Sequence, residues 1–515
     1  PLGHTELCER LQLVSDEQIE ALRRRLIAMS RDGQIISNRR GMYGLASSME
    51  LIKGRIQGNK DGFGFFIPED GSEDLFLGAR EMETLFDGDK VLARVSGVDN
   101  RGRKEGTIVE VLQRRFTQIV GRYYHEQGFG VVVPDSKRIS HEILIPDQSA
   151  GNAKDGDFVV AEIVEYPTRR RKAIARIAEV LGDSSTPGLE IDVALRSHDI
   201  PNEWPKAVEK QVRGFVEEVV EADLVGRKDM RDIPFVTIDG EDAKDFDDAL
   251  SVQRLPNGHL RFGIHIADVS HYVKTGSPLD TEAKERGNST YLVGTVIPML
   301  PHALSSGLCS LVEAENRLVK SVICEFSPDA KLVKTEFANS VISSRKRLTY
   351  KQAYAFLRGD TNEAIRALPA PPPHRTGSPG RPLAELTDAE LDLIRAMITD
   401  LWSIGKVLRA ERFRIGALDL DMKEIKIYCD KDGWADRTVV VEHDESHQLV
   451  EEFMLLANET VAKALDQAKI PHVCRVHDEP DPDKLQALRD QLAVDGLKVG
   501  DLTERKEMVK LLGLL

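Results

Sequence analysis

The sequence predicts a multidomain chain: a short α+β segment of winged-helix type, two small β-barrels and a larger α+β domain. Three observations predict it. The 515 residues exceed what one core supports and imply about three domains. A stretch of short alternating strands with Gly and Asp-Gly turns occurs twice, which marks two barrels. An apolar run, Pro234-Phe235-Val236-Thr237-Ile238, leads directly into a block of carboxylates, which marks the larger domain and its candidate site.

Residues 1–45 carry two helical patterns and a β-like tail. The first helix is brief, over 4–11. Ser15, followed by Glu17 and Gln18, reads as the N-cap of an amphipathic helix reaching about residue 31. Ile19, Leu22, Leu26 and Ile27 form its apolar side, and Arg23, Arg24 and Arg25 supply cations. Residues 34–45, with Asn38-Arg39-Arg40-Gly41 at the middle, read as a hairpin with a basic tip. Two helices and a basic wing suggest a winged helix, here beginning inside the fold. A plain helical packing domain is the competing reading, since an arginine-bearing helix is often only a solvated face.

The repeat places one barrel at 50–112 and the next at 113–182. The first has Gly62-Phe63-Gly64-Phe65-Phe66, then Asp74-Leu75-Phe76-Leu77, then Asp87-Gly88-Asp89. The second has Gly128-Phe129-Gly130-Val131-Val132, then Glu142-Ile143-Leu144-Ile145, then Asp155-Gly156-Asp157. The Gly-Phe-Gly-Phe pattern resembles cold-shock domains, OB-type barrels that stack bases on exposed aromatics. Phe63, Phe65 and Phe129 are the candidate RNA contacts, and the run Arg169-Arg170-Arg171-Lys172 adds charge. Residues 183–187 read as a linker, with the larger domain at 188–515. Residues 368–382, LPAPPPHRTGSPGRP, read as a proline-rich mobile surface linker within it.

Asp239, Glu241, Asp242, Asp245, Asp247 and Asp248 crowd into one loop with a single cation, Lys244. Such a cluster is tolerable mainly with something positive among the acids. Apolar Phe246 threaded between Asp245 and Asp247 argues against a solvated acidic tail. A calcium loop of EF-hand type fails, because its sixth and twelfth positions would be Lys244 and Leu250. A site for hard divalent ions fits, and two such ions about 4 Å apart can clamp both oxygens of a phosphodiester displacement.

The net charge of −15 argues weakly against nucleic acid, since phosphate binding needs a local basic track rather than a basic total. Cys8, Cys309, Cys324, Cys429 and Cys474 are dispersed with no CxxC pair, which fits reduced thiols in a cytoplasm and offers no zinc site. No apolar run approaches the roughly 20 residues of a membrane span.

Together with TIDGEDAKDFDDA, residues 261–311 closely resemble the catalytic domain of the ribonuclease II/R (RNB) exoribonuclease family. The paired barrels and winged helix favour the ribonuclease R branch. The resemblance implies an RNB catalytic domain and an Mg²⁺-dependent, processive 3′-to-5′ hydrolysis of RNA to 5′-nucleoside monophosphates, in RNA degradation and quality control. It implies that Asp239, Asp245 and Asp248 hold Mg²⁺ (two ions during catalysis, with Mn²⁺ as a substitute), and that Asp247 is most needed for the chemical step, helping to hold a second ion or its water. Tyr291 would stack on a nucleotide near the 3′ end, with Leu420 at the position of its aromatic partner. Glu452 would lie near the terminal ribose, and Arg475-Val476-His477 would pack the site; by helix spacing Glu451 faces the same side as His447 and reads instead as a support of the fold. RNA is the implied partner, for a monomer away from membranes. The family's late arginine motif and C-terminal OB-type domain would lie beyond Leu515, so the catalytic domain is expected to be incomplete there. The rival readings are a non-catalytic RNA-binding protein, or an inactive fragment of such an enzyme, and a DNA-binding regulator led by the winged helix.

Overall fold

The computed structural model describes residues 2–37, 41–45, 51–99, 102–126, 128–183, 185–198, 200–216, 218–371, 380–418, 420, 422–430 and 433–514. Contacts group it into two units, residues 1–202 with 430–434, and residues 203–429 with 435–515. At the N-terminus, Ser15 and Gln18 exchange hydrogen bonds as a capping box, so the helix Asp16–Arg31 starts where the sequence places it. It accompanies the helix His4–Arg10 and a three-stranded antiparallel sheet of Leu2–Gly3, Met42–Leu45 and Ile35–Ser37. The expected basic tip at 38–40 lies outside the described residues.

Both repeats close into five-stranded barrels with one topology. In each the third and fifth strands are parallel, through Phe76↔Glu105 in the first and Leu144↔Ile174 in the second. The Asp-Gly-Asp turns show why the repeat persists. Asp87 accepts the Gly58 N–H and Asp155 accepts the His125 N–H, each at 2.9 Å. Asp89 and Asp157, both buried, accept the N–H of the residue three before them, at 2.9 and 2.8 Å. Gly88 and Gly156 between them hold φ of 80° and 92°, where a side chain is strained. The barrels interlock: Phe86 of the first is buried in the core of the second beside Phe116, and Nε2 of His141 lies 2.8 and 3.0 Å from the carbonyls of Met82 and Leu85. The linker expected at 183–187 does not end this unit. The helix Leu189–Ser197 follows it and buries Leu189 and Val193 against Val120 and Val160 of the second barrel.

The second unit is built on a seven-stranded mixed sheet, in the order Lys228–Asp229, Leu332–Ser343, Asn316–Phe326, Leu260–Ala267, Asp248–Arg254, Phe235–Asp239, Lys346–Thr349. Alternation along the strands feeds two cores. Val236, Ile238, Leu250, Phe262 and Ile264 face the helices Tyr350–Arg358, Asp388–Arg414 and Glu445–Gln467. Phe235, Ala249, Val319 and Val341 face the opposite side with Phe246. On that side neutral His265 is fully buried between Ser251 and Ser321, at 3.0 and 2.7 Å, and burial holds its pKa down to about 3. The proline-rich segment is anchored at its described ends, where Gln352 donates to the Pro369 carbonyl and Glu313 accepts the Arg381 N–H. Among the described residues, no helix is long and apolar enough to cross a membrane.

Candidate active site on the aspartate loop

The loop 240–247 joins the last residue of one central strand, Asp239, to the first of the next, Asp248. Four residues pin it. Ser310 Oγ accepts the Phe246 N–H at 3.0 Å, and the Phe246 carbonyl accepts the Leu311 N–H at 2.8 Å. Asp247 offers its carbonyl to Ala267 at 2.9 Å, and Arg347 Nη2 reaches the carbonyls of Glu241 and Ala243 at 3.3 and 3.5 Å. Phe246, 2% exposed, is the plug that turns its neighbours Asp245 and Asp247 away from the core.

The loop's acids fall into two groups. Glu241 is paired with Lys351 at 2.9 Å and Asp242 with Lys426 at 2.5 Å, so the two acids without a family role are neutralised by strong local cations. Asp245, Asp247 and Asp248 have no cationic partner among the described residues. Burial and then repulsion from Asp239 and Asp247 push the Asp248 carboxyl up to about 7. Asp247 keeps accessible surface at the mouth of the site. Even so, withdrawal from bulk water, then Asp245 and Asp239, raise it to about 6. Burial raises Asp239, partly offset by the Gly240 N–H and Arg347. The four aspartates thus share one field. Among the described residues no three acidic, histidine or cysteine side chains are gathered tightly enough to cage an ion alone. Oxygen donors in electrostatic excess nonetheless fit a hard divalent cation that completes its shell with water and substrate phosphate.

Tyr291 stands at this site. It is 69% exposed on the hairpin of Thr290–Leu292 and Thr295–Ile297, and the charges of Asp245, Asp247 and Asp239 add to burial in raising its phenol. Leu420 is exposed, and its neighbours Asp419 and Asp421 lie outside the described residues. Glu452 is placed differently from expectation: it is 3% exposed and held by Arg412 at 2.5 Å and Arg409 at 3.6 Å. The more exposed acid of that helix is Glu451, which meets the same arginines and His443. Arg475-Val476-His477 does not pack the site; residues 471–481 are exposed, Val476 at 83%. In the barrels, Phe63 and Phe65 join Phe76 in a cluster with centroids 5.7–6.0 Å apart and Arg103 4.1 Å over Phe76, while Phe129 is 39% exposed.

A family model described as the RNB domain matches residues 227–512, which enclose all of this site. The chain belongs to the RNB family, in its ribonuclease R group. The cold shock domain matches residues 132–205, and the ribonuclease B OB domain matches residues 54–111. Ribonuclease R of Escherichia coli (strain K12) is 41% identical over 99% of this chain and 60% of its own length. Ribonuclease R of Thermotoga maritima is 36% identical over 97% of this chain and 67% of its own. The chain therefore spans about 60% of the Escherichia coli relative's length. Among solved structures, Mycoplasma genitalium RNase R in complex with ribose methylated single-stranded RNA superposes with TM-score 0.75 at 25% identity, over 87% of this chain and 67% of that one.

Sequence reasoning missed one neighbour of the RNB site. Tyr350 stacks on His447 with centroids 3.8 Å apart, and burial together with Asp239, Asp248 and Asp444 raises its phenol above the usual range. The available signal was its position directly after Thr349, which pairs with Asp239 in parallel register and caps the following helix.

Proposed function

We propose that this chain carries the catalytic machinery of an Mg²⁺-dependent 3′-to-5′ exoribonuclease that hydrolyses RNA processively to 5′-nucleoside monophosphates in RNA degradation. The observation that carries the reading is the group of carboxylates left without cationic partners among the described residues at the end of two central strands, with Asp247 and Asp248 raised by burial and then by neighbouring aspartates, and with Tyr291 beside them. Asp239, Asp245, Asp247 and Asp248 would hold divalent cations, Mg²⁺ with Mn²⁺ as a substitute, which supply charge neutralisation at the scissile phosphate and an activated water near neutral pH. Tyr291 gives the terminal nucleotide a stacking surface indifferent to base identity, as an enzyme that consumes every sequence requires. Pinning by Ser310, Leu311 and Ala267 keeps the carboxylates from relaxing apart.

The paired barrels, with Phe63, Phe65 and Phe129 on their surfaces, would guide single strands, and the N-terminal segment is read as a winged helix that engages structured RNA. The complexes of Mycoplasma genitalium RNase R with ribose methylated single-stranded RNA and with double-stranded RNA support RNA as the partner. A cytoplasmic location fits the five free cysteines, and the chain is read as a monomer. The test uses 5′-labelled single-stranded RNA with Mg²⁺ and compares this chain with Asp247→Asn. The expected result is a ladder shortening from the 3′ end, abolished by the substitution and by chelator while RNA binding persists. Binding without shortening by the parent chain would leave an RNA-binding protein instead.

A further inference from the structure

Arg347 is 2% exposed, on the edge strand Lys346–Thr349 that runs parallel to Phe235–Asp239. In that register Arg347 lies opposite Thr237 and Thr349 opposite Asp239, so Arg347 shares a sheet face with Asp239. Its guanidinium meets the aspartate loop at three residues, Glu241, Ala243 and Phe246. Nη2 donates to the carbonyls of Glu241 and Ala243 at 3.3 and 3.5 Å, Cζ lies 4.6 Å from the Phe246 ring centroid, and the charge acts on Asp239. Nε and Nη1 are buried and find no hydrogen-bond partner among the described residues. Leaving two donors of a buried cation unpaired is costly, and a side chain present only to fill space would be apolar. Among the described residues, Glu313 acts on the Arg347 side chain through charge alone, since its carboxylate takes Lys346 at 2.6 Å and the backbone N–H of Arg347 at 3.1 Å.

We propose that Arg347 is the positioning residue of the aspartate loop, clamping its backbone and its Phe246 plug from below so that Asp239, Asp245, Asp247 and Asp248 present one array to a divalent cation. The inference rests on reading that array as a cation site. Arginine is required for a geometric reason. A planar fork can lie flat against the ring while one edge reaches two carbonyls, whereas a lysine ammonium is a single point on a flexible stem. Arg347 acts through the carboxylates and touches no reacting atom.

The experiment compares the parent chain with Arg347→Lys and Phe246→Leu by thermal melting across an Mg²⁺ titration, hydrogen exchange over residues 239–248, and kcat and KM on single-stranded RNA. For Arg347→Lys we expect a melting point near the parent's without metal, faster exchange confined to the loop, and Mg²⁺ affinity weakened roughly 10–100-fold, as for other residues that orient metal ligands. The loss on RNA should fall on kcat, with KM preserved. A folded Arg347→Lys with the parent's Mg²⁺ affinity and loop exchange would overturn the proposal. If Arg347→Lys fails to fold, Phe246→Leu decides, since it removes the ring while leaving the guanidinium: unchanged loop exchange overturns the proposal and faster exchange supports it. If the parent itself shows no Mg²⁺ response, the cation reading falls, and the loop-exchange comparison still decides whether Arg347 positions the loop.

Discussion

Asp247 and Asp248 are adjacent and meet different surroundings, the first at the mouth of the site and the second withdrawn beside Asp239. Both carboxyls are raised, to about 6 and about 7. A carboxyl with a folded pKa above its unfolded value contributes stability that is full below the unfolded value, near 4, and lost as pH rises through the folded one. The metal-free chain therefore carries unrelieved carboxylate repulsion above pH 7, with Asp248 the most affected. Asp248→Asn removes that repulsion while keeping the shape. Melting at pH 5.5 and pH 8, with and without Mg²⁺, should show Asp248→Asn melting above the parent at pH 8 without metal. The parent's gain from Mg²⁺ should be larger at pH 8 than at pH 5.5, and the variant's gain smaller at both. An equal gain at the two pH values would mean that the cation does not relieve these carboxylates. The sequence made the acids legible as a group. Their sorting was hidden, because Lys351 and Lys426, which neutralise Glu241 and Asp242, lie more than a hundred residues away. Glu452 was obscured for the same reason: Arg409 and Arg412 reach it from a different helix.

At the scale of an element, the hairpin bearing Tyr291 is small, and three residues per strand cannot stand alone in water. Arg286 is its base. The guanidinium lies 3.5 Å from the Trp204 ring centroid, donates to the carbonyls of Pro298 and Glu203, and pairs with Glu282 at 2.8 Å. Ser289 Oγ also accepts the Met299 N–H, which closes the hairpin. Tyr291→Ala should weaken binding of short single-stranded RNA by about 1–3 kcal/mol, the worth of one base stack. Arg286→Lys should lose part of the same amount with the tyrosine still present, because the platform is less fixed. Equilibrium binding by fluorescence anisotropy checks both, and full affinity in Tyr291→Ala would remove the stacking role. Strand-and-turn chemistry was legible here and in the barrels, where each Asp-Gly-Asp sits at a turn it stabilises. Charge runs were less informative. In the run Arg169-Arg170-Arg171-Lys172, Arg169 pairs with Glu81, Arg171 with Glu165 and Lys172 with Glu142, so much of its charge is answered within the fold.

For the molecule as a whole, the two repeats are equivalent in topology yet unequal in role, and one position shows the difference clearly. The residue before Asp-Gly-Asp is Phe86 in the first copy and Lys154 in the second. Both backbones make the same turn, with the N–H of that residue bonded to the second aspartate. Lys154 is exposed, whereas Phe86 is 1% exposed within the second barrel's core, near His141 and Tyr166. Around it Arg114 donates to the Thr84 carbonyl and pairs with Asp89 at 2.7 Å, while Arg169 pairs with Glu81 at 3.0 Å. A repeat comparison finds the Gly-Phe-Gly and Asp-Gly-Asp signatures because both copies need them. It passes over a substitution that helps one barrel dock into the other, since that residue matters only across the interface. Phe86→Ala should cost about 3–5 kcal/mol, as for a large aromatic removed from a packed core. The loss should appear in both barrels, because the cavity opens in the second while the turn that supported it belongs to the first. Hydrogen exchange on the full chain reads this directly: amides of 52–58 and of 129–134 should lose protection together in Phe86→Ala, and neither should in Lys154→Ala. Loss confined to 129–134 would mean that the barrels are joined without being coupled, and a strand passing over them would then meet two independent supports rather than one.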